Sequence, residues 1–476
     1  MILSTAALAA AALALVLAAG ASAATFVVSK RGDPPPAACA KRDCSLREAV
    51  IAADARPGPD VIELPNRRRP YQLAQENTLG GEDGALEGDL DVTNAPLVIR
   101  HLGKGRATID ARGIDRAFDV FAGAPTTFRN LVIRGGADPS SEGGNGGAIR
   151  SDANLRLVRS AVVGNASTGC GGGIHTRSGA ALRLIRSRVA ANRAASDGGG
   201  ISHSCFGGSG PLTVRASAIV GNVGDSDNDG SGRGGGMYLQ TADGVRSSIS
   251  TSTIAGNRTG NEGGGMYTDS GRLTISRSTV GRNRTDDAGG GISADGTEPL
   301  LLVNSTVANN RSDSVGGGVH ADGSSVVALN AATVARNLGN ADGLLSEAGG
   351  GLFFEDAEGF VARNSLIAAN RIGDLGGGDP IANDCSGTTA FESAGNNLLS
   401  TRFLCDGFDR PTDRVRSNPR IGKLKRNGGP TQTIALRKRS PAINKASRAS
   451  APKRDQRGAK RKRKRDIGAY ERNVKR

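Results

Sequence analysis

A β-branched apolar residue followed three positions later by asparagine is the most regular signal in the chain. It occurs at Val162/Asn165, Val189/Asn192, Ile219/Asn222, Ile254/Asn257, Val280/Asn283, Val307/Asn310, Val334/Asn337 and Ile367/Asn370. A glycine cluster then leads into a second apolar residue: Ile174, Ile201, Met237, Met266, Ile292, Val319 and Leu352. That residue follows the asparagine by nine positions in five units and by fifteen in the two with insertions. Successive asparagines lie 26 to 35 residues apart, most often 27. Between the two signals, segments such as "ALRLIRS" and "RLTISRS" alternate apolar and polar residues with strand periodicity. A repeat of this length marks a stacked solenoid. Three short strands and three turns per unit make it one coil of an all-β, single-stranded parallel β-helix. Equivalent side chains then stack at roughly 4.8 Å.

Stacking gives each repeated residue a physical role. An inward asparagine at a turn bonds its counterpart on the next coil and backbone groups that water cannot reach. Glycine supplies the positive φ of a sharp turn. The 476 residues include 70 glycines, 4 tyrosines, 11 phenylalanines and no tryptophan, so the core is built from Val, Ile, Leu and Ala. The sequons at Asn165, Asn257, Asn283 and Asn310 fall on the inward ladder, which argues against glycosylation. Gly316, Gly317 and Gly318 lack the helix and lysine of a phosphate loop and are read as a turn.

The ends differ from the middle. Residues 1–23 are an Ala-rich apolar run closing on Ala21-Ser22-Ala23, the pattern of an export signal cleaved after Ala23. The mature protein is therefore expected to be secreted or wall-associated, with no transmembrane segment. Six cysteines in an exported chain suggest disulfides, with Cys39–Cys44 and Cys385–Cys405 as local pairs. Cys170 and Cys205 are expected to remain apart, because they sit eight residues out of register on neighbouring coils. Ser45 and Glu48 have capping-box spacing, and Leu46, Ala49, Val50 and Ala53 form one apolar face, predicting a short helix over the N-terminal end. Residues 411–476 hold 23 Lys/Arg against 4 Asp/Glu, while the rest of the chain is close to neutral.

"CAKRDCSLREAV" followed by "DVIELP" resembles the CSLREA domain of exported bacterial proteins. "NGGPTQTIAL", "SPAIN", "DQRG" and "DIGAYE" are similar to the choice-of-anchor Q domain, and the coils resemble repeats of polymorphic outer-membrane proteins. The resemblance implies a right-handed, pectate-lyase-like solenoid and supplies no catalytic residues. It divides the chain into a CSLREA cap at 24–95, repeats at 96–380 and a choice-of-anchor Q-like cap with a basic tail at 381–476. The basic run "KRKRKR" at 460–465 departs from the family pattern.

Candidate chemistry lies on outward positions. Just before the glycines, successive coils offer Cys170, Asp197, Arg233, Glu262 and Ala288, so Asp197 and Glu262 are a candidate acid pair with Arg233 between. Just after each second apolar residue stand His175, Tyr238, Tyr267, His320 and Phe353, a ring-rich stripe expected to face solvent and to stack sugars. Asp225, Asp227 and Asp229 match the first half of a calcium loop, without its twelfth-position acid. Calcium is the one cofactor suggested. The expected function is an extended binding or adhesive scaffold, monomeric, for a glycan or an anionic cell-envelope polymer. The alternative is a lyase or hydrolase acting on an acidic glycan. Scarce aromatics beside the basic run argue against nucleic acid.

Overall fold

The computed structural model describes residues 23–65, 69–77, 84–138, 144–205, 207–269, 271–344, 348–374 and 376–474. The export signal expected at 1–23 lies outside these, apart from Ala23. The chain winds as a right-handed parallel β-solenoid with three long sheets. Sheet 1 has 13 strands from Thr25–Val27 to Phe391–Ser393. Sheet 2 has 11 from Leu90–Val92 to Cys385–Gly387, and sheet 3 has 13 from Tyr71–Gln72 to Arg414–Val415. Neighbouring strands in all three pair in parallel, each one coil apart in sequence. No helix among the described residues is long and apolar enough to cross a membrane.

The interior is a column of aliphatic side chains in register, such as Val162, Val189, Ile219, Ile254, Val280, Val307, Val334 and Ile367. Beside it runs the predicted amide ladder. From Asn165 to Asn337, each Asn donates through Nδ2 to the Oδ1 of the next, at 2.8 to 3.0 Å. The same Oδ1 accepts the preceding asparagine's backbone N–H, for example Asn257 N–H to Asn283 Oδ1 at 3.0 Å. Asn370 bonds instead to Asp384, whose Oδ1 takes both its N–H and its Nδ2. An aspartate suits this last rung because the groups beyond it, Ser400 N and Oγ and Thr401 N, are all donors to its Oδ2.

Asn192 and Asn222 open two of the longer coils, with 30 residues between them and 35 from Asn222 to Asn257. Both are wholly buried, so they are structural amides with no access to a ligand. Asn192 donates to Asn222 Oδ1 at 3.0 Å and to Val162 O at 3.2 Å, and Asn222 donates to Asn257 Oδ1 at 3.0 Å and to Val189 O at 3.2 Å. The two-residue strand that follows Asn192, Arg193–Ala194, gives way after Asn222 to single bridges at Val223, yet the ladder passes through unbroken. The extra residues are therefore looped out of the coil, at 204–210 and 225–232, and the inner register is unaffected.

The glycine clusters are turns, as expected, and two of their positions are obligatory. The first glycine has positive φ, as at Gly234 (+68°). The third lies against the ladder: a Cβ on Gly236 would meet Gly265 O at 2.5 Å and Asn257 Nδ2 at 2.7 Å.

The helix Leu46–Asp54 forms with its full capping box and buries the predicted apolar face. Its Arg47 is wholly buried, paired with Asp33 and donating to the carbonyls of Ala85, Glu87, Gly88 and Asp89. The segment expected as a C-terminal cap has two parts. Through Val415 it continues the coils; the hairpin Ile421–Lys425/Thr433–Leu436 then doubles back along the outer side of sheet 3. Ile421, Leu424, Ile434, Leu436 and Ile467 form a second core there against Ala308, Ala335, Leu366, Ala368 and Leu398.

The disulfides Cys39–Cys44 and Cys385–Cys405 form, with Cα atoms 4.4 and 5.2 Å apart. Cys170 and Cys205 also pair, at a Cα separation of 6.6 Å, which corrects the expectation that they stay apart. Register along the coil would separate them, but the strand Ile201–His203 ends at Ser204 in the left-handed region (φ +70°). The reversal returns Cys205 to within 3.1 Å of Ser202 Oγ, over its own strand and beside the preceding coil.

Candidate functional site

The outward positions of sheet 2 stack in one continuous row: Asp91, Asp119, Arg150, His175, Ser202, Tyr238, Tyr267, Ser293, His320, Phe353 and Ser386. The ring-rich stripe read from sequence is the middle of this row, and it points away from the core as expected. It does not face solvent. His175 is 2% exposed, Tyr267 1% and His320 4%, and Tyr238 and Phe353 are likewise buried. The Arg233 side chain from the flanking turn lies over Tyr267, and four of the rings pair with one another. Tyr238 stacks on Tyr267 at 5.3 Å and His320 on Phe353 at 6.0 Å, while the Arg233 guanidinium sits 4.9 Å above Tyr267. Their faces are spent inside the protein, so the stripe is a floor and not a sugar-stacking surface.

Two rows of charge flank that floor. On the glycine-turn side, Asp197, Arg233 and Glu262 stack as aligned, despite the insertion before Arg233. Gly198 N–H donates to Arg233 O and Gly234 N–H to Glu262 O, both at 2.8 Å, which keeps the turns in register. Asp197 Oδ1 accepts the Arg233 backbone N–H at 2.7 Å, and Arg233 Nε stands 3.7 Å from Glu262 Oε2. Glu262 Oε1 lies 3.9 Å from His320 Nδ1. Arg233 Nη1 donates to Tyr267 Oη at 3.2 Å, and Tyr267 Oη donates to Asp295 Oδ2 at 3.1 Å, tying the two rows across the floor. The far row continues with Asp269, held by Gln240 Nε2 at 3.0 Å, and with Asp322.

Burial dominates the electrostatics. Desolvation lifts the Glu262 carboxyl to about 7, Arg233 opposing the rise and Asp287, Asp295 and Asp322 adding to it. Asp197 and Asp269 are also raised by burial. Burial lowers His320, and takes His175 down to about 3, so both imidazoles are neutral at physiological pH. The central trough gathers Asp197, Glu262, Asp269, Asp287, Asp295 and Asp322 around the single guanidinium of Arg233. It therefore offers a proton on Glu262 near neutrality, one fixed cation and a strongly acidic rim.

Sequence reasoning missed the upstream end of the trough. There Asp119 pairs with Arg150, and the buried Arg116 bonds Asp89 at 3.0 Å and Asp138 at 2.7 Å. Asp119 and Arg150 precede the first apolar/asparagine unit at Val162/Asn165, so the repeat alignment did not reach them; strand register places them on the row. The Cys170–Cys205 bridge stands next to Asp197 at the head of the charged row. In the expanded turn, ligand atoms of Asp225, Asp227 and Asp229 lie within 4.8 Å of one another. Two of these carboxylates brace the loop itself, Asp225 accepting from Gly230 N–H at 3.1 Å and Asp229 from Ser231 N–H at 2.8 Å.

No family model and no curated protein matches this chain. The solenoid is similar to a crystal structure of pectate lyase Pel9A, at 14% identity and a TM-score of 0.47, over 95% of this chain and 97% of that one. That likeness concerns the fold alone.

Proposed function

We propose that this protein is an exported, surface-associated β-helical rod that holds a glycan along the trough of sheet 2. One observation carries the reading: charged and hydroxyl groups from successive coils line one continuous floor, braced across it by the Arg233–Tyr267–Asp295 chain. Coil spacing of about 4.8 Å approximates the length of one sugar unit, so neighbouring coils meet neighbouring sugars. Polar contact replaces ring stacking, because the rings are covered. In the central trough five aspartates, and a Glu262 that is about half protonated near neutrality, face the Arg233 guanidinium and repel a uronic-acid polymer, so the ligand is a neutral or amino-sugar glycan. The resemblance of both ends to exported surface proteins supports the location. A glycan array tests this directly: the wild-type chain should bind amino-sugar or neutral oligosaccharides, and Arg233→Gln should lose at least tenfold in affinity. Binding confined to uronic-acid glycans, or unchanged in the variant, contradicts the assignment.

A second reading is favoured by Glu262 alone. A carboxyl with a pKa of about 7 is protonated often enough near neutrality to act as the general acid of a glycoside hydrolase. Release of reducing ends from the bound glycan, abolished by Glu262→Gln with binding retained, would establish hydrolysis. Retention of the intact glycan by the wild type leaves the binding role.

A further inference from the structure

The returning C-terminal hairpin leaves a recess of about 450 Å³ where it meets the corner of sheet 3. Its charged lining is Arg336, Arg420, Arg437 and Lys438, with Asn418 and the backbone of Pro419, Ile421 and Ala369 beside them. No carboxylate lines it, and among the described residues none of the four cations has an ion pair. The two ion-paired cations of the strap, Arg457 with Asp455 and Arg461 with Glu471, lie outside the recess. Arg336 occupies a corner position with φ +62°, whose counterparts in other coils include Gly164, Gly221 and Gly256. Its Nε donates to Gly422 O at 3.1 Å, which fixes the guanidinium at the mouth while its remaining N–H groups stay available. Arg437 and Arg420 are locked together by the 2.8 Å bond between Arg437 N–H and Arg420 O. Burial, and to a lesser degree the neighbouring Arg437, lower the proton affinity of Arg336, in keeping with the gathering of cations at the recess.

We infer that this recess is an oxyanion site for a multiply charged phosphate, a phosphomonoester or pyrophosphate group of a soluble ligand. Four exposed cations around one recess, with only Arg336 among them held by a side-chain hydrogen bond within the described residues, favour a multiply charged group. A uronic-acid chain and a phosphodiester chain each carry one charge per unit, whereas a phosphomonoester or pyrophosphate brings two or more charges and three or more oxygens to the arginine donors at once. The site is distinct from the trough on sheet 2, and also from the "KRKRKR" run with its exposed Lys462, Arg463 and Lys464, which lies beyond the lining. It holds whether or not the trough binds sugar.

Calorimetric titration of the full chain with inorganic pyrophosphate tests it. The side chains of Arg437 and Lys438 make no hydrogen bond within the fold among the described residues, so Arg437→Gln/Lys438→Gln should keep the wild-type Tm. That variant should bind pyrophosphate at least tenfold more weakly, and Arg336→Gln should behave likewise. Lys462→Gln/Lys464→Gln, in the exposed run, should change affinity less than twofold. Absence of pyrophosphate binding, or an equal loss in the exposed-run variant, overturns the site. Equal affinity for galacturonate refutes the phosphate assignment. Binding to phosphatidylglycerol vesicles that pyrophosphate does not displace would give the surface to a membrane and overturn a soluble phosphate as occupant.

Discussion

At Glu262 a single side chain carries the pH behaviour of the trough. Its carboxyl sits half-buried beneath its own turn, 3.7 Å from the Arg233 guanidinium and near three further aspartates, and burial outweighs the arginine. The folded pKa of about 7 lies above the ordinary 4.5, so the folded state binds the proton more tightly than the unfolded state does. Stability from this group is greatest at low pH and is lost progressively between about pH 4.5 and 7, staying low above that. The shift corresponds to roughly 3 kcal/mol at most. Glu262→Gln is neutral throughout, so its stability relative to wild type should climb by about 1–3 kcal/mol from pH 5 to pH 8. Parallel urea-unfolding curves for the two proteins across that range would show that solvent reaches the carboxyl and that the trough is wetter than its geometry indicates. The pairing of Asp197, Arg233 and Glu262 was legible in the sequence, because their spacing to the glycines is constant even where the unit is longer. The burial of the neighbouring rings was not. Alternation says which way a side chain points, and nothing in it says that charged residues of the next turn fold over the top.

Within the coil, two ladders run in parallel, and only one of them was read from the sequence. The asparagines stood out because amides repeat at one spacing from the apolar rung, and Asn192 and Asn222 kept that spacing where the coil length changed. Two residues before each apolar rung stands a serine: Ser160, Ser187, Ser217, Ser252, Ser278 and Ser305, then Ser365. From Ser187 to Ser305, each Oγ accepts the N–H of the preceding coil's serine, as in Ser187 N–H to Ser217 Oγ at 3.0 Å, and donates to a local carbonyl. The signal was present in the sequence, but serine is common on surfaces and its period passes for ordinary turn chemistry. The row has one gap, Ala332, and no acceptor meets the Ser305 N–H there among the described residues. Ala332→Ser should fill the rung and raise stability by about 0.5–1.5 kcal/mol, whereas Asn257→Leu should cost about 1–3 kcal/mol by stranding its ladder partners. Equilibrium denaturation reads both. A neutral or destabilising Ala332→Ser would mean that the corner lacks room for the hydroxyl, and a neutral Asn257→Leu would remove the ladder as a source of stability.

Across the whole molecule, the coils and the returning strap are joined by residues that look unremarkable on their own. The outer face of sheet 3 carries Thr279, Thr306 and Thr333 in register, all buried beneath the strap. Gln456, from the "DQRG" motif, inserts among them. Its Nε2 donates to Ser278 O, Thr279 Oγ1 and Thr431 Oγ1 at 3.0 Å, and its Oε1 accepts from Thr306 Oγ1 at 2.5 Å. Farther along, Arg461 bonds Asn304 Oδ1 at 2.9 Å and Ala469 N–H bonds Thr333 Oγ1 at 2.9 Å. The sequence marked residues 411–476 as chemically separate by charge, yet charge could not show that Arg461 is buried or that the segment lies along the coils. Such a long-range docking leaves no periodic trace; its footprint is three threonines spaced by one coil. Because Gln456 also touches the carbonyl of Ser278, a member of the serine ladder, the strap and the coils should open as one unit. Gln456→Leu leaves several buried polar groups unpaired at a cost of about 1–3 kcal/mol. Amide hydrogen exchange should then show residues 421–470 and the sheet 3 rungs from 278 to 335 losing protection together, while the coils before residue 200 keep theirs. Faster exchange confined to the immediate neighbours of residue 456 would make the strap an independent appendage, and its cationic recess would no longer be held open by the solenoid beneath it.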